Sequence, residues 1–353
     1  MKSPGPMLER RRSGPSRWAL VITFIVGAYF PATAQQSLKP SPAPSRSFSA
    51  ITDAGEEIIQ IPQYAVLPYD GLDRTMWYYV PFNLPTNGAS LVLVLHGGGG
   101  NGLVTMGSDY EERWNRIADQ EKFVVLYPEG RLDPGATLMY HWNDCRADIT
   151  IPQADSTEDD VGYFEMLIDW AQSTYSVNTN KVYIAGHSNG GLMVLRAAAE
   201  TGHRYAAAAC VIGNRAATNE CAAATVPVPM LIMNGTDDPL IPNEGGCATS
   251  CGSGRGMVTS TADTISYWTN VNQTVGAPVV TNLPDINTND SSTVTVTTYA
   301  QGIDNAEVVY YRINGGGHTV PGFDPDPFYQ GFVGNRNKDI RAADEIWDFF
   351  KNY

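Results

Sequence analysis

Six short runs of consecutive apolar or β-branched residues, separated by longer stretches, constrain this chain more than any other feature. They are TMWYYVP (75–81), LVLVLH (91–96), FVVLYP (123–128), KVYIAGH (181–187), AAAACVIG (from Ala206) and VPMLIMNG (228–235), and they read as strands. Between them, residues 111–120, 159–174 and 190–201 repeat apolar side chains at helical spacing, and DIRAADEIWDFF (339–350) does so near the C-terminus. A strand that is apolar at consecutive positions has both faces buried. Strands of that kind alternating with helices predict an α/β architecture, with a mostly parallel central sheet, helices on both faces and no large separate cap domain. At 353 residues, 43% of them hydrophobic, the chain is long enough to close one large core.

The N-terminus has a different character. Four arginines (Arg10, Arg11, Arg12 and Arg17) precede the apolar run WALVITFIVGAYF, and Ala32-Thr33-Ala34 offers small residues for cleavage. Residues 1–34 therefore read as an export signal, 35–50 as a Ser/Pro-rich flexible leader, and 51–353 as the catalytic domain. The expected location is secreted or periplasmic, without stable membrane association after cleavage. Net charge is −14; removing 1–34 takes five basic residues and one acid from 23 Lys and Arg and 37 Asp and Glu, leaving 18 against 36. Such a surface repels nucleic acid and other polyanions, so a neutral substrate is expected.

The fourth run ends in GHSNG, with Ser188 between Gly186 and Gly190, and GLMVLRAAA follows at helical spacing. Gly-x-Ser-x-Gly at a strand-to-helix turn is the pattern of a nucleophile elbow, in which the glycines relieve crowding and the hydroxyl sits at the tip. The competing reading is a glycine-rich turn with a serine cap. A serine nucleophile requires a base, an orienting acid and a place for an oxyanion. Of five histidines, His318 alone lies late in the chain, in a Gly-rich loop after AEVVYYRIN. Asp237 and Asp238 follow the run MLIMNG, and either suits the acid; Gly-Thr-x-Asp-Pro favours Asp238. Glycines directly after LVLVLH give the backbone N–H of Gly98 access to an oxyanion, beside that of Asn189, the residue after the serine. His96 is expected to hold this loop. The chain order Ser, Asp, His is the one this type of turn takes in its usual sheet.

These segments resemble the secreted polyhydroxybutyrate depolymerase and feruloyl esterase family of α/β-hydrolases. The resemblance rests on VLHGGGGN, FVVLYPEG, HWNDCRAD, DDVGYFEMLIDW, VYIAGHSNGGLM, NGTDDPLIPNEGG and GGGHTVPG, from about Leu91 to Gly322. It implies the α/β-hydrolase fold and ester hydrolysis by a triad of Ser188, Asp238 and His318, with Gly98 and Asn189 in the oxyanion region and no metal or organic cofactor. It also implies that Trp142 and Asn143 lie near the substrate, the alternative for Trp142 being packing under the loop. Asn234 departs from the histidine common in relatives before Gly-Thr-x-Asp.

The substrate expected on this basis is a phenolic-acid sugar ester or a hydroxyalkanoate oligomer, with Tyr140, Trp142, Phe323, Phe328 and Tyr329 available to stack on a ring. The chain ends soon after its last helix, without the linker and surface-binding domain common in depolymerases of solid polyester, which favours soluble esters. The alternatives are a peptidase or other acyl hydrolase on the same scaffold, and a non-enzymatic protein of hydrolase fold. DINTNDSS (285–292) sets Asp285, Asn287 and Asn289 at alternate positions, but Asp290 and Val296 stand where a calcium loop needs Gly and Glu, leaving a polar turn. Among five cysteines, Cys247 and Cys251 are placed to close a small ring, Cys145 has Cys221 or Cys210 as partner, and Cys210 fits a buried free thiol.

Overall fold

The computed structural model describes residues 62–100, 109–132, 140–150, 158–323 and 330–353. The expected export signal and leader lie outside these residues, as do Phe328 and Tyr329. Ten strands form the main sheet: β1 (Gln63–Tyr69), β2 (Leu72–Tyr79), β3 (Leu91–Leu95), β4 (Val124–Pro128), β5 (Val182–His187), β6 (Ala207–Val211), β7 (Met230–Gly235), β8 (Val279–Asn282), β9 (Thr293–Tyr299) and β10 (Val308–Asn314). Their spatial order is β1-β2-β4-β3-β5-β6-β7-β10-β9-β8. The six central strands, β4 to β10 in that order, run parallel, and antiparallel pairs flank them on both sides.

All six apolar runs are strands, and the alternation along them explains how both faces are buried. In β3, Leu91, Leu93 and Leu95 join one core layer while Val92 and Val94 join the other. The first layer is closed by α2 (Asp160–Tyr175), α3 (Asn189–Glu200) and α4 (Thr261–Val271), through Phe164, Leu167, Met193, Val194, Ile265 and Trp268. The second is closed by α1 (Asp109–Glu121) and by the terminal helix α6 (Ala342–Phe350), through Trp114, Ile117, Ile346 and Phe350; a short α5 (Gln330–Val333) precedes α6. Burial of these apolar surfaces is the dominant favourable contribution to the fold. Asp159 caps α2 by accepting from the Gly162 N–H at 2.9 Å, and Ser260 caps α4 by accepting from Asp263 at 3.0 Å. Among the described residues, no helix is long and apolar enough to cross a membrane.

Sequence periodicity did not reveal β1, β8, β9 or α4. In DINTNDSS, Asp290 accepts from the Ser292 and Lys338 amides while Asp339 accepts from Ile286 and Asn287, so the segment is the polar turn expected. Two disulfides join Cys145 to Cys221 and Cys247 to Cys251, and Cys210 is a buried free thiol.

Candidate active site

Parallel register lines up the C-terminal ends of the central strands: Leu95 pairs with Gly186, Gly186 with Cys210, and Ile313 with Gly235. Residues just beyond those ends therefore meet at one edge of the sheet, where open α/β sheets bind their ligands. Ser188 stands between β5 and α3 with φ 55° and ψ −124°, a left-handed conformation that a side chain rarely adopts. Its amide donates to Val211 O at 2.9 Å. The turn is possible because its flanking residues lack a Cβ. At Gly190 that atom would fall 2.4 Å from His96 O, and at Gly186 it would fall 2.5 Å from Gly190 O.

The structure brings His318 and Asp238 to this serine. His318 Nε2 lies 2.9 Å from Ser188 Oγ and Nδ1 lies 2.8 Å from Asp238 Oδ2. The Asp238 carboxylate is almost wholly buried, and its other oxygen accepts from the Leu240 and Ile241 amides at 2.8 Å each. Those bonds hold it in a fixed orientation. Asp237, left open beside it in the sequence, is exposed and accepts from Thr236 Oγ1 at 2.8 Å. Asn234 is buried under the same turn, where it bonds both backbone groups of Gly213 and the side chains of Asn214 and Thr261.

The glycine loop after β3 is fastened on both sides of Gly98. Gly97 N donates to His187 Nε2 at 3.1 Å, and Gly99 N donates to Tyr140 O at 2.9 Å. His96 donates from Nδ1 to Gly97 O at 2.7 Å and accepts from Gly130 N at 3.1 Å, so it does hold this loop. Burial pushes His96 down to about 3, and burial together with the nearby His318 pushes His187 down to about 4. Both rings are neutral at pH 7 and act as fixed connectors. Among the described residues, the amides of Gly98 and Asn189 make no hydrogen bond. Both residues line a cavity of about 300 Å³ together with Ser188, His318 and His141. Its apolar wall comes from Leu192, Leu240, Ile241 and Ala248, and its rim from the exposed Phe332.

Two expected binding residues are not brought to this cavity. Trp142 is fully buried: its indole N–H donates to His96 O at 2.9 Å and its amide donates to Asn189 Oδ1 at 2.8 Å, so it packs under the loop. Asn143 turns away, donating its amide to the buried Asp160 at 2.8 Å and its side chain to Glu158 O at 3.2 Å. Nor does Tyr140 line the cavity, and Phe323 lies under the Arg341 guanidinium. Nothing in the sequence singles out Phe332, His141 or Leu192 as cavity residues. Among the described residues, the one grouping with metal-ligand spacing is Cys145, Glu200 and Cys221, whose sulfurs are consumed in a disulfide.

The sheet order, the serine turn and the position of the histidine loop define the class: this is an α/β-hydrolase. Residues 85–251 match the phospholipase/carboxylesterase family. NocK of Nocardia uniformis subsp. tsuyamanensis is 30% identical over 271 residues, which are 74% of this chain and 74% of that protein. A bifunctional acetylxylan esterase/xylanase of Neocallimastix patriciarum is 29% identical over 48% of this chain and 22% of its own length. A poly(3-hydroxyalkanoate) depolymerase of Paucimonas lemoignei is 27% identical over 44% and 35%. The chain thus spans a minor part of the last two. The acetyl xylan esterase structure from Aspergillus awamori shares the fold, with a TM-score of 0.54 at 18% identity over 83% of this chain and all of that one. The chain belongs to the α/β-hydrolase family that holds these esterases and depolymerases, and it is a carboxylic ester hydrolase.

Proposed function

We propose that this chain is an exported serine esterase in which Ser188 is the nucleophile, His318 the general base and acid, and Asp238 the group that orients the imidazole. The hydrogen-bonded series Ser188 Oγ, His318 Nε2, His318 Nδ1, Asp238 Oδ2 carries this reading. His318 Nε2 takes the hydroxyl proton as Ser188 Oγ attacks the ester carbonyl, and Asp238 stabilises the imidazolium that forms. The oxyanion develops against the unengaged amides of Gly98 and Asn189, which need no reorganisation because the loop and the helix start are already fastened. His318 then protonates the leaving alcohol, and water activated by the same nitrogen releases the acid from the acyl-enzyme.

In this reading residues 1–34 direct export, 35–50 form a leader and 51–353 form the catalytic domain; two disulfides suit an oxidising compartment. The substrate is an acylated sugar or a soluble hydroxyalkanoate oligomer, and the Leu192, Ile241 and Ala248 wall suits a small apolar portion of it. The test is hydrolysis of methyl ferulate, a hydroxybutyrate oligomer, an acetylated sugar and a small peptide amide by the purified mature protein, with Ser188→Ala as control. Turnover of an ester that disappears in the variant supports the reading. Undiminished turnover by Ser188→Ala, or cleavage of the amide alone, overturns it.

A further inference from the structure

The cavity over Ser188 holds charge that the ester chemistry leaves unused. In a chain of net charge −14, two arginines, Arg146 and Arg255, stand among its lining residues, none of which carries a carboxylate. Arg146 is buried and already matched. Its Nε and Nη2 donate to the two oxygens of Asp144 at 2.9 and 2.7 Å, and Asp148 adds a second negative charge nearby. Arg255 is different. Among the described residues, its half-buried side chain has neither a hydrogen bond nor an ion pair.

Its backbone is fixed all the same. Arg146 Nη1 donates to Arg255 O at 2.5 Å, Arg255 pairs with Ile149 in an antiparallel bridge, and its amide donates to Ser253 Oγ at 3.3 Å. The Cys247–Cys251 ring lies just upstream in the same loop. A guanidinium mounted on a braced loop, partly withdrawn from water and without a counter-ion among the described residues, presents its planar fork of donors to whatever occupies the cavity. The matching chemistry is a carboxylate, which takes such a fork through two parallel bonds.

We propose that Arg255 binds a carboxylate carried by the ester substrate, so that the preferred substrates are monoanionic esters. Two sources carry that chemistry: the free acid end of a hydroxyalkanoate oligomer, and an acylated uronic acid. This rests on the reading of Ser188 as the reacting centre. It replaces the neutral substrate expected from net charge with a singly charged one, and the two facts agree on distance. Surface charge repels a polyanion along its whole length, but at physiological ionic strength it is screened beyond about 8 Å. A single carboxylate inside the cavity meets Arg255 first.

The test measures kcat/KM for matched pairs. One arm compares a hydroxybutyrate dimer as its free acid with the same dimer capped as a primary amide; the other compares acetylated galacturonic acid with acetylated galactose. The readout is the acid-to-neutral ratio within each protein, so a general loss of activity cancels. The wild type is expected to favour the acid about tenfold or more in one arm, mainly through KM. The ratio should fall to near one in Arg255→Gln and recover in part in Arg255→Lys, and added salt should erode it. The arm that shows the preference identifies the source. A wild-type ratio of one or below in both arms, or a ratio unchanged in Arg255→Gln, overturns the carboxylate site while leaving the esterase reading intact. Absence of turnover of every ester overturns both.

Discussion

Asn189 Nδ2 donates to Asp144 Oδ2 at 2.6 Å, fastening the first residue of α3 to the segment that carries Arg146. The same amide group bonds both backbone groups of Trp142. The Asn189 side chain thus sets where its own N–H points. Asn189→Leu is expected to lower kcat at least tenfold, with a stability loss of about 1–3 kcal/mol from the buried groups it leaves unpaired. Kinetics and urea unfolding measured together check this; loss of stability with full kcat would refute the link to the oxyanion.

The two aspartates after β7 should separate cleanly. Asp238→Asn removes the acceptor of the His318 Nδ1 proton and favours the wrong imidazole tautomer, so kcat should fall about 10³- to 10⁴-fold. Asp237→Asn, on an exposed carboxylate, should change it little. Equal losses in the two variants would contradict the arrangement.

Stability should fall on mild acidification because of two buried histidines that take no part in the proton transfer. His96 and His187 are held down to about 3 and 4 in the folded protein against 6.5 when unfolded. Between roughly pH 6.5 and 4 the unfolded chain binds more protons, so stability is complete above pH 6.5 and declines as pH drops through that window. The combined loss is on the order of several kcal/mol. Chemical unfolding at pH 7 and pH 5 measures it, and His96→Gln should flatten the slope.

The disulfides should differ in weight. Cys145 and Cys221 are 76 residues apart and Cys247 and Cys251 only four. Chain-entropy arguments give about 4 kcal/mol for the long loop and about 2 for the short one. Thermal unfolding of the Cys145→Ser/Cys221→Ser and Cys247→Ser/Cys251→Ser proteins should show the larger drop in the first.

The central strands were legible because burial on both faces forces continuous apolar runs, as in LVLVL. Three of the flanking strands gave no such signal. β8 is exposed at all four residues, β9 reads TVTVTTY, and β1 alternates between half-buried and exposed positions. Helix α4 begins TADTIS, too rich in threonine and polar residues for a clear stripe, and takes its start from Ser260. Ser188, Asp238 and His318 were legible because each follows a strand in a turn with its own residue pattern. Trp142 and Asn143 were misplaced for the opposite reason. They adjoin the site in sequence, but their hydrogen-bonding groups are taken up by His96, Asn189 and Asp160, and no local pattern reports which way a loop residue faces. Phe332, on the short α5, and Arg255, on a loop, reach the cavity from distant segments and carry no motif.

The distances along the chain within the site have a kinetic consequence. Ser188 and His318 are 130 residues apart, and His318 and Asp238 are 80 apart. The Asp238 bond needs β7 and β10 paired, and the Ser188 bond needs β5 joined to them through β6; such long-range parallel pairings are slow for a chain to make. During refolding, recovery of hydrolysis should therefore trail the return of helical signal, which makes the enzyme's own turnover a reporter for closure of the sheet's centre.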